Sequence, residues 1–160
     1  MLNELLFIAH AFIVGGMALV ALALGQQALV AFISVQAILA NLFVIKQIKL
    51  FGFTATAADV YIVGSVLGLN LLQEYYGKKI ARNAIWASFA MLIFYTIVSQ
   101  FQIWYLPGVD DFAHDHFQAL LHHMPRIAIA SIFVYLIVQH IDSFTFDFLK
   151  RIMNKRFFVV

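Results

Sequence analysis

LLFIAHAFIVGGMALVALAL, residues 5–24, runs without an Asp, Glu, Lys or Arg. A bilayer core is crossed by roughly 20 predominantly apolar helical residues, so this stretch reads as a membrane helix. Met1 to Glu4 has no basic n-region and the apolar run is longer than a signal h-region, so the segment is expected to stay in place rather than be cleaved. The rest of the chain agrees with it. Hydrophobic residues make up 64% of the 160 residues and charged residues 11%, with mean hydropathy +0.92. A soluble domain has roughly 45–50% apolar and about 25% charged residues. The expected architecture is therefore all-α: a polytopic membrane helix bundle forming a single integral membrane domain over 1–160.

Working outward, five spans are expected, at about 5–24, 28–45, 58–74, 84–106 and 126–142. Gly25-Gln26-Gln27 reads as the turn between the first two, and Pro107-Gly108 ends the fourth. The fifth can continue as an amphipathic helix to Lys150. The chain closes with KRFFVV, an apolar run after a basic cluster. That is how a further membrane segment begins, so the natural protein is expected to continue beyond Val160, leaving this bundle incomplete at its C-terminus. The net charge of +2 does not point to nucleic acid. With no Cys, disulfides and thiolate metal sites are excluded, and the redox compartment is not readable.

Lys and Arg set orientation. Lys78, Lys79 and Arg82 follow the third span, and Lys150, Arg151, Lys155 and Arg156 follow the fifth; both clusters are expected to be cytoplasmic. The 107–125 loop carries Asp110, Asp111 and Asp115 and no Lys or Arg, which suits the outside. Five spans then give an N-terminus outside and a C-terminus inside, with Lys46 and Lys49 as dissenters on the outer side.

Polar residues within apolar spans point to function. An ionisable group at mid-membrane costs roughly 2.5–3.5 kcal/mol on insertion scales and usually faces the bundle interior or water. In the third span Asp59, Asn70, Gln73 and Glu74 fall within about 100° of one another on a helical wheel. Tyr61, Gly64 and Gly68 fall opposite, and the GxxxG step Gly64–Gly68 suits close helix packing. In the fifth span Ser131, Tyr135, Gln139 and Asp142 share a face. Arg126 sits at its outer boundary, placed to pair with Asp59 or to snorkel. Ser88, Tyr95, Ser99 and Gln102 make a stripe on the fourth span, though such hydroxyls often bond only their own backbone. The second span offers Ser34 and Asn41 seven apart, with Gln36 on another face. Together these faces describe a cavity rich in amides and carboxylates, suited to a neutral, flat, hydrogen-bonding solute.

The outer loop holds His114, His116, His122 and His123 among its aspartates. Such spacings can bind Zn or Cu at a surface, but no His cluster continues the path through the membrane. An interfacial helix around 112–123 is the simpler expectation, and no metal or other cofactor is expected. No nucleophile elbow, HExxH, Walker loop or paired catalytic carboxylates stand out, so an enzyme is not expected.

Three blocks resemble a known family. ADVYIVGSVLGLNLLQEYYGKKIAR at 58–82 is similar to the signature of the bacterial queuosine-precursor transporters, also called vitamin uptake transporters. NLFVIKQIKLFGFTAT at 41–56 resembles that family's first shared helix with its Asn, and PRIAIASIFVYLIVQHID at 125–142 its Arg-Ile-Ala-x-Ala-Ser helix ending in Gln-x-x-Asp. The blocks occur in the family's order and span about 34–156. The resemblance implies uptake of a 7-deazaguanine base or queuine for tRNA modification, across a bacterial inner membrane, by a bundle like the substrate-binding subunits of energy-coupling-factor transporters. It implies substrate contacts at Asn41, Asn70, Gln73, Glu74, Arg126, Gln139 and Asp142, with Asn41, Glu74, Gln139 and Asp142 foremost. The partners implied are the small-molecule base, the lipid bilayer and an energising partner, with no direct role for nucleic acid. Two other readings stand beside an importer. One is the capture subunit of an energy-coupling vitamin transporter. The other is a non-transporting scaffold whose His loop binds metal.

Overall fold

The protein, as a computed structural model, is described over residues 2–152, the side chains of Tyr135, Gln139 and residues 150–152 excepted. Its elements run α1 (Leu2–Leu24), α2 (Gln26–Phe43), β1 (Gln47–Leu50), β2 (Phe53–Thr56), α3 (Asp59–Tyr76), α4 (Lys78–Trp104), α5 (His114–Leu121) and α6 (Met124–Ile152). Five long helices form the expected all-α bundle. α1, α2, α4 and the stretch His114–Leu149, which holds most of α6, are long and apolar enough to cross a membrane. α3, with 18 residues, falls outside that group. Its position explains how it tolerates Asp59, Asn70, Gln73 and Glu74: it packs against α1, α2, α4 and α6, which bury Gln73 and partly cover the other three, while Ile62 and Val63 face outward.

Single glycines punctuate the helices. Gly25 (φ 103) alone separates α1 from α2, and Gly77 (φ 91) alone separates α3 from α4, in a region that L side chains disfavour. The expected three-residue turn at 25–27 is thus one residue, and the fourth helix starts at Lys78 rather than near 84. Lys78, Lys79 and Arg82 therefore lie in the first turns of α4. α6 continues through the amphipathic extension expected to Lys150, and α5 falls inside the expected interfacial helix around 112–123. The further segment expected to begin at KRFFVV lies outside the described residues.

One element departs from the all-α expectation. β1 and β2 form an antiparallel hairpin, with Leu50 opposite Phe53 across a Phe51-Gly52 turn. Both turn residues have positive φ, 51° and 85°, as a type I′ hairpin turn requires. The hairpin is tied to the start of α1: Asn3 Nδ2 donates to Lys49 O (3.0 Å), and Phe51 N donates to Glu4 Oε1 (3.2 Å). The hairpin and the starts of α1, α3 and α6 thus share one end of the bundle, and the Gly25 and Gly77 turns share the other.

The core is small. Leu29 and Ile33 of α2, Leu69 and Leu72 of α3 and Ile85 of α4 are fully buried around Ala21, Ala81 and Ala84. Gly68 lets α2 and α3 approach: a Cβ there would lie 2.9 Å from Ile33 Cγ1. The GxxxG step therefore serves helix packing, as expected. Phe12, Ile13, Phe94 and Phe133 stand outward and exposed; in a bilayer that surface meets acyl chains rather than water.

Candidate functional site

A cavity of about 290 Å³ lies between α2, α3 and α6. α2 contributes Gln36, Ala37, Ala40, Asn41 and Val44, positions that recur on one side of a 3.6-residue helix. α3 contributes Tyr61, Ile62, Ser65 and Val66, and α6 contributes Ala130, Ser131, Val134 and Val138. Small residues on α2 and α6 open the space. Tyr61 is held from behind by His10, edge-on at 4.8 Å between ring centroids, and by Phe43, stacked at 5.6 Å. His10 is thus a packed histidine.

Two amides give the cavity its polarity. Gln36 and Asn41 are 6% and 7% exposed, and Gln36 Oε1 and Asn41 Oδ1 have no hydrogen-bond partner. Asn41 spends its donor on its own helix: Nδ2 donates to Ala37 O at 3.2 Å. That back-bond fixes the carboxamide and leaves its oxygen as the free end. Gln36 lies over Gly64, where a Cβ would come within 3.2 Å of Oε1. A buried acceptor with no donor costs roughly 1–3 kcal/mol, and two in one wall are unusual.

The cavity does not follow the polar face expected on α3. Its stripe, Tyr61, Ile62, Ser65 and Val66, runs between that face and the smooth one, so Tyr61 belongs to the cavity wall and not to the packing side. Asn70 and Asp142 continue the walls, one turn beyond Val66 and Val138 respectively. Asn70 Oδ1 and Asp142 Oδ2 are likewise buried without partners. Glu74 stands a further turn along α3, half-buried.

Gln73 has a different occupation. Its Nε2 donates to Ser143 O (3.0 Å) and to Asp147 Oδ1 (2.6 Å), and Ser143 Oγ donates to its Oε1 (2.6 Å). Lys78 Nζ, at the start of α4, completes the set with a 2.6 Å ion pair to Asp147 Oδ2. These four residues clasp α6 to the α3–α4 turn, beyond the inner end of the cavity. Arg126 is exposed, and Asp59 accepts from Thr56 Oγ1 (2.6 Å) instead, so the two do not pair. The Gln139 side chain lies outside the described residues.

Of the remaining polar stripes, Ser88 and Ser99 donate to Ala84 O and Thr96 O of their own helix, the modest role expected for them. Ser34 meets Ser88 Oγ at 3.2 Å and so contacts α4, two turns along α2 from Asn41. The second span's true pair is Gln36 with Asn41. Their spacing of five gives no single-face signal on a wheel, and only the width of the cavity brings both to it. Among the described residues, no group of three His, Cys, Asp or Glu side chains is placed to hold a metal ion, the outer His loop included.

The fold and cavity define a multi-pass membrane protein with a mostly apolar space of small-molecule size between its helices. The chain belongs to the vitamin uptake transporter family: the family model described as "Putative vitamin uptake transporter" matches residues 56–160. A curated relative, the "Probable queuosine precursor transporter" of Bacillus subtilis (strain 168), is 30% identical over 128 residues, which cover 80% of this chain and 56% of the relative. The chain therefore spans a little over half of that relative's length. No solved structure matches it.

Proposed function

We propose that this chain carries the binding cavity of a bacterial inner-membrane importer for a queuosine precursor, a 7-deazaguanine base, with its N-terminus outside and its C-terminus cytoplasmic. The observation that carries this reading is the α2–α3–α6 cavity, with Gln36, Asn41 and Tyr61 in its mostly apolar wall. Its 290 Å³ sits at the low edge of the ~300–1,000 Å³ typical of small-molecule sites, which suits a base better than a larger solute. A deazaguanine presents N–H donors to acceptor oxygens and a flat ring to Tyr61. Family membership and the relative's name support the same substrate class.

Asn41 is the proposed contact inside the cavity. Asn70, Glu74, Gln139 and Asp142 are proposed to line the path from it toward the basic end. Gln73 and Arg126 are proposed to act from outside the cavity, Gln73 by holding α6. The test is complementation in bacteria that neither make nor import the precursor. The chain is expressed, in the complete reading frame if that extends past Val160, the base is supplied, and tRNA queuosine is read by boronate gel shift. Restored queuosine that is lost in Asn41→Leu and Asp142→Asn at equal membrane levels is the expected result. No queuosine from protein shown to be in the membrane would rule the substrate out.

A further inference from the structure

We propose that the segment from Leu106 to His123 lies in the plane of the membrane surface, where His114, His116 and His123 hold anionic phospholipid headgroups once protonated. This goes beyond the importer reading and does not depend on the substrate. Leu106, Val109 and Phe112 stand almost wholly exposed, and Phe117 and Leu120 of α5 are exposed as well. Five such side chains in one connecting segment are costly in water. They follow on from Phe101 and Trp104, the exposed aromatic pair that ends α4. The apolar surface of the segment is thus continuous with the surface of the bundle that meets acyl chains, which makes lipid its occupant.

α5 has the geometry for this. Phe117, Leu120 and Leu121 fall within about 100° of one another on a helical wheel. Leu121 is buried, and its carbonyl accepts from Gln100 Nε2 of α4 at 3.1 Å, which fixes the roll of the helix. Asp111 Oδ1 accepts from Ala113 N (2.9 Å) and His114 N (3.2 Å) and holds the approach to it. On the same wheel His114 borders the apolar arc on one side, and His116 and His123 border it on the other. Asp115 lies opposite the centre of the arc, with His122 beside it. A helix resting with the arc in the acyl region carries the three bordering histidines at headgroup depth and Asp115 in water.

Charge decides which headgroup. Residues 106–125 hold three aspartates, four histidines and no Lys or Arg, so they carry −3 with the histidines neutral and +1 with all four protonated. Histidine as a class changes charge between about pH 5 and 8, while aspartate as a class stays ionised there. An anionic surface therefore repels the segment at neutral pH and holds it in acid. α5 packs against α4 and α6. The outer half of α4 and Tyr105 after it present only phenols, and the start of α6 adds Arg126, a fixed cation. Neither side chain class switches in that range.

The test uses the full chain in nanodiscs of phosphatidylcholine, with or without phosphatidylglycerol. The chain has no Cys, so Phe117→Cys and Ala119→Cys each take a single spin label. Collision with oxygen reports lipid, and collision with a water-soluble nickel chelate reports water. The label at 117 is expected to favour oxygen and the label at 119 the chelate. Going from about pH 7.5 to about pH 5.5 should move the 117 label deeper in discs with phosphatidylglycerol only, and high salt should remove the shift. Replacing His114, His116 and His123 by Gln should abolish the shift and leave the depth at neutral pH unchanged, whereas His122→Gln should keep most of it. A 117 label as open to the chelate as the 119 label would overturn the in-plane placement. An absent acid shift, one equally large without phosphatidylglycerol, or one that survives the triple replacement would overturn the role of the histidines.

Discussion

Replacing Ser143 by alanine is expected to loosen the bundle toward the end that carries the Gly77 turn. Ser143 Oγ donates to Gln73 Oε1 at 2.6 Å, and the two residues are 6% and 3% exposed. Alanine removes the donor and leaves that oxygen buried, while Gln73 Nε2 keeps its bonds to Ser143 O and Asp147. Stranding a buried acceptor costs roughly 1–3 kcal/mol in soluble proteins. Interhelical bonds within membranes average about 0.6 and reach about 1.7 kcal/mol. A short, fully buried bond belongs near the top of the membrane range, so about 1.5 kcal/mol is expected. For a chain of this length each kcal/mol moves the melting midpoint by roughly 2–4 °C, giving a fall of about 3–6 °C. The assay is thermal unfolding in detergent, followed by the fluorescence of Trp86 and Trp104. Gln73→Leu and the double variant complete a cycle, in which the two changes are expected to couple by about 1 kcal/mol. Additivity within about 0.3–0.5 kcal/mol, the behaviour of independent sites, would refute the claim that this bond fastens α6.

Three further outcomes are expected. Gly68→Ala places a Cβ 2.9 Å from Ile33 Cγ1 and 3.1 Å from Phe32 Cδ1, so overpacking should cost about 1–3 kcal/mol, whereas Gly16→Ala, which meets nothing within 4 Å, should leave the melting midpoint where it is or raise it. Lys78→Met removes an ion pair whose lysine is half exposed; the loss should stay below about 1 kcal/mol and shrink further in high salt. The sequence has no Cys, so single-cysteine labelling has no background: with an impermeant maleimide in intact cells, Phe53→Cys on the hairpin should react and Arg82→Cys should not, and the reverse pattern would invert the proposed orientation.

The long apolar helices were legible because apolar length is a one-dimensional property; α3, shorter and more polar, lacks that signal. Helix ends were less so: the start of α4 hides behind Lys78 and Lys79, whose charges look like a loop, although Gly77 is all the turn requires. The hairpin is short, and its signal is the Phe51-Gly52 pair within alternating residues, easily lost beside long hydrophobic runs. At the site, Asn41 was visible as an amide inside an apolar run, whereas Gln36 was set aside because a helical wheel assumes one narrow functional face. Gln73 stood out equally well in the sequence, yet its amide is committed to Ser143 and Asp147, a partnership seventy residues away that no local pattern reveals. Arg126 and Asp59 seemed matched by depth, but Thr56, three residues before Asp59, reaches it first.

The central position of α3 has a consequence for how the protein is made. The insertion machinery meets each segment before its neighbours have packed. On its own, α3 offers only 18 residues with Asp59 and Glu74 near its ends, and an Asp alone can cost roughly 2.5–3.5 kcal/mol at the centre of a span. Only Gly77 divides it from the 27 residues of α4. α3 is therefore expected to enter the bilayer as the first leg of a helical hairpin drawn in by α4. A chain truncated after Tyr76 should leave 59–76 accessible to protease, and one truncated after Trp104 should protect it. α6 follows the other four long helices, so α3, which packs against all of them, waits longest for that partner. Until Ser143 and Asp147 emerge, Gln73 sits in the membrane with its amide uncovered, and the nascent protein is most exposed to quality control in that interval.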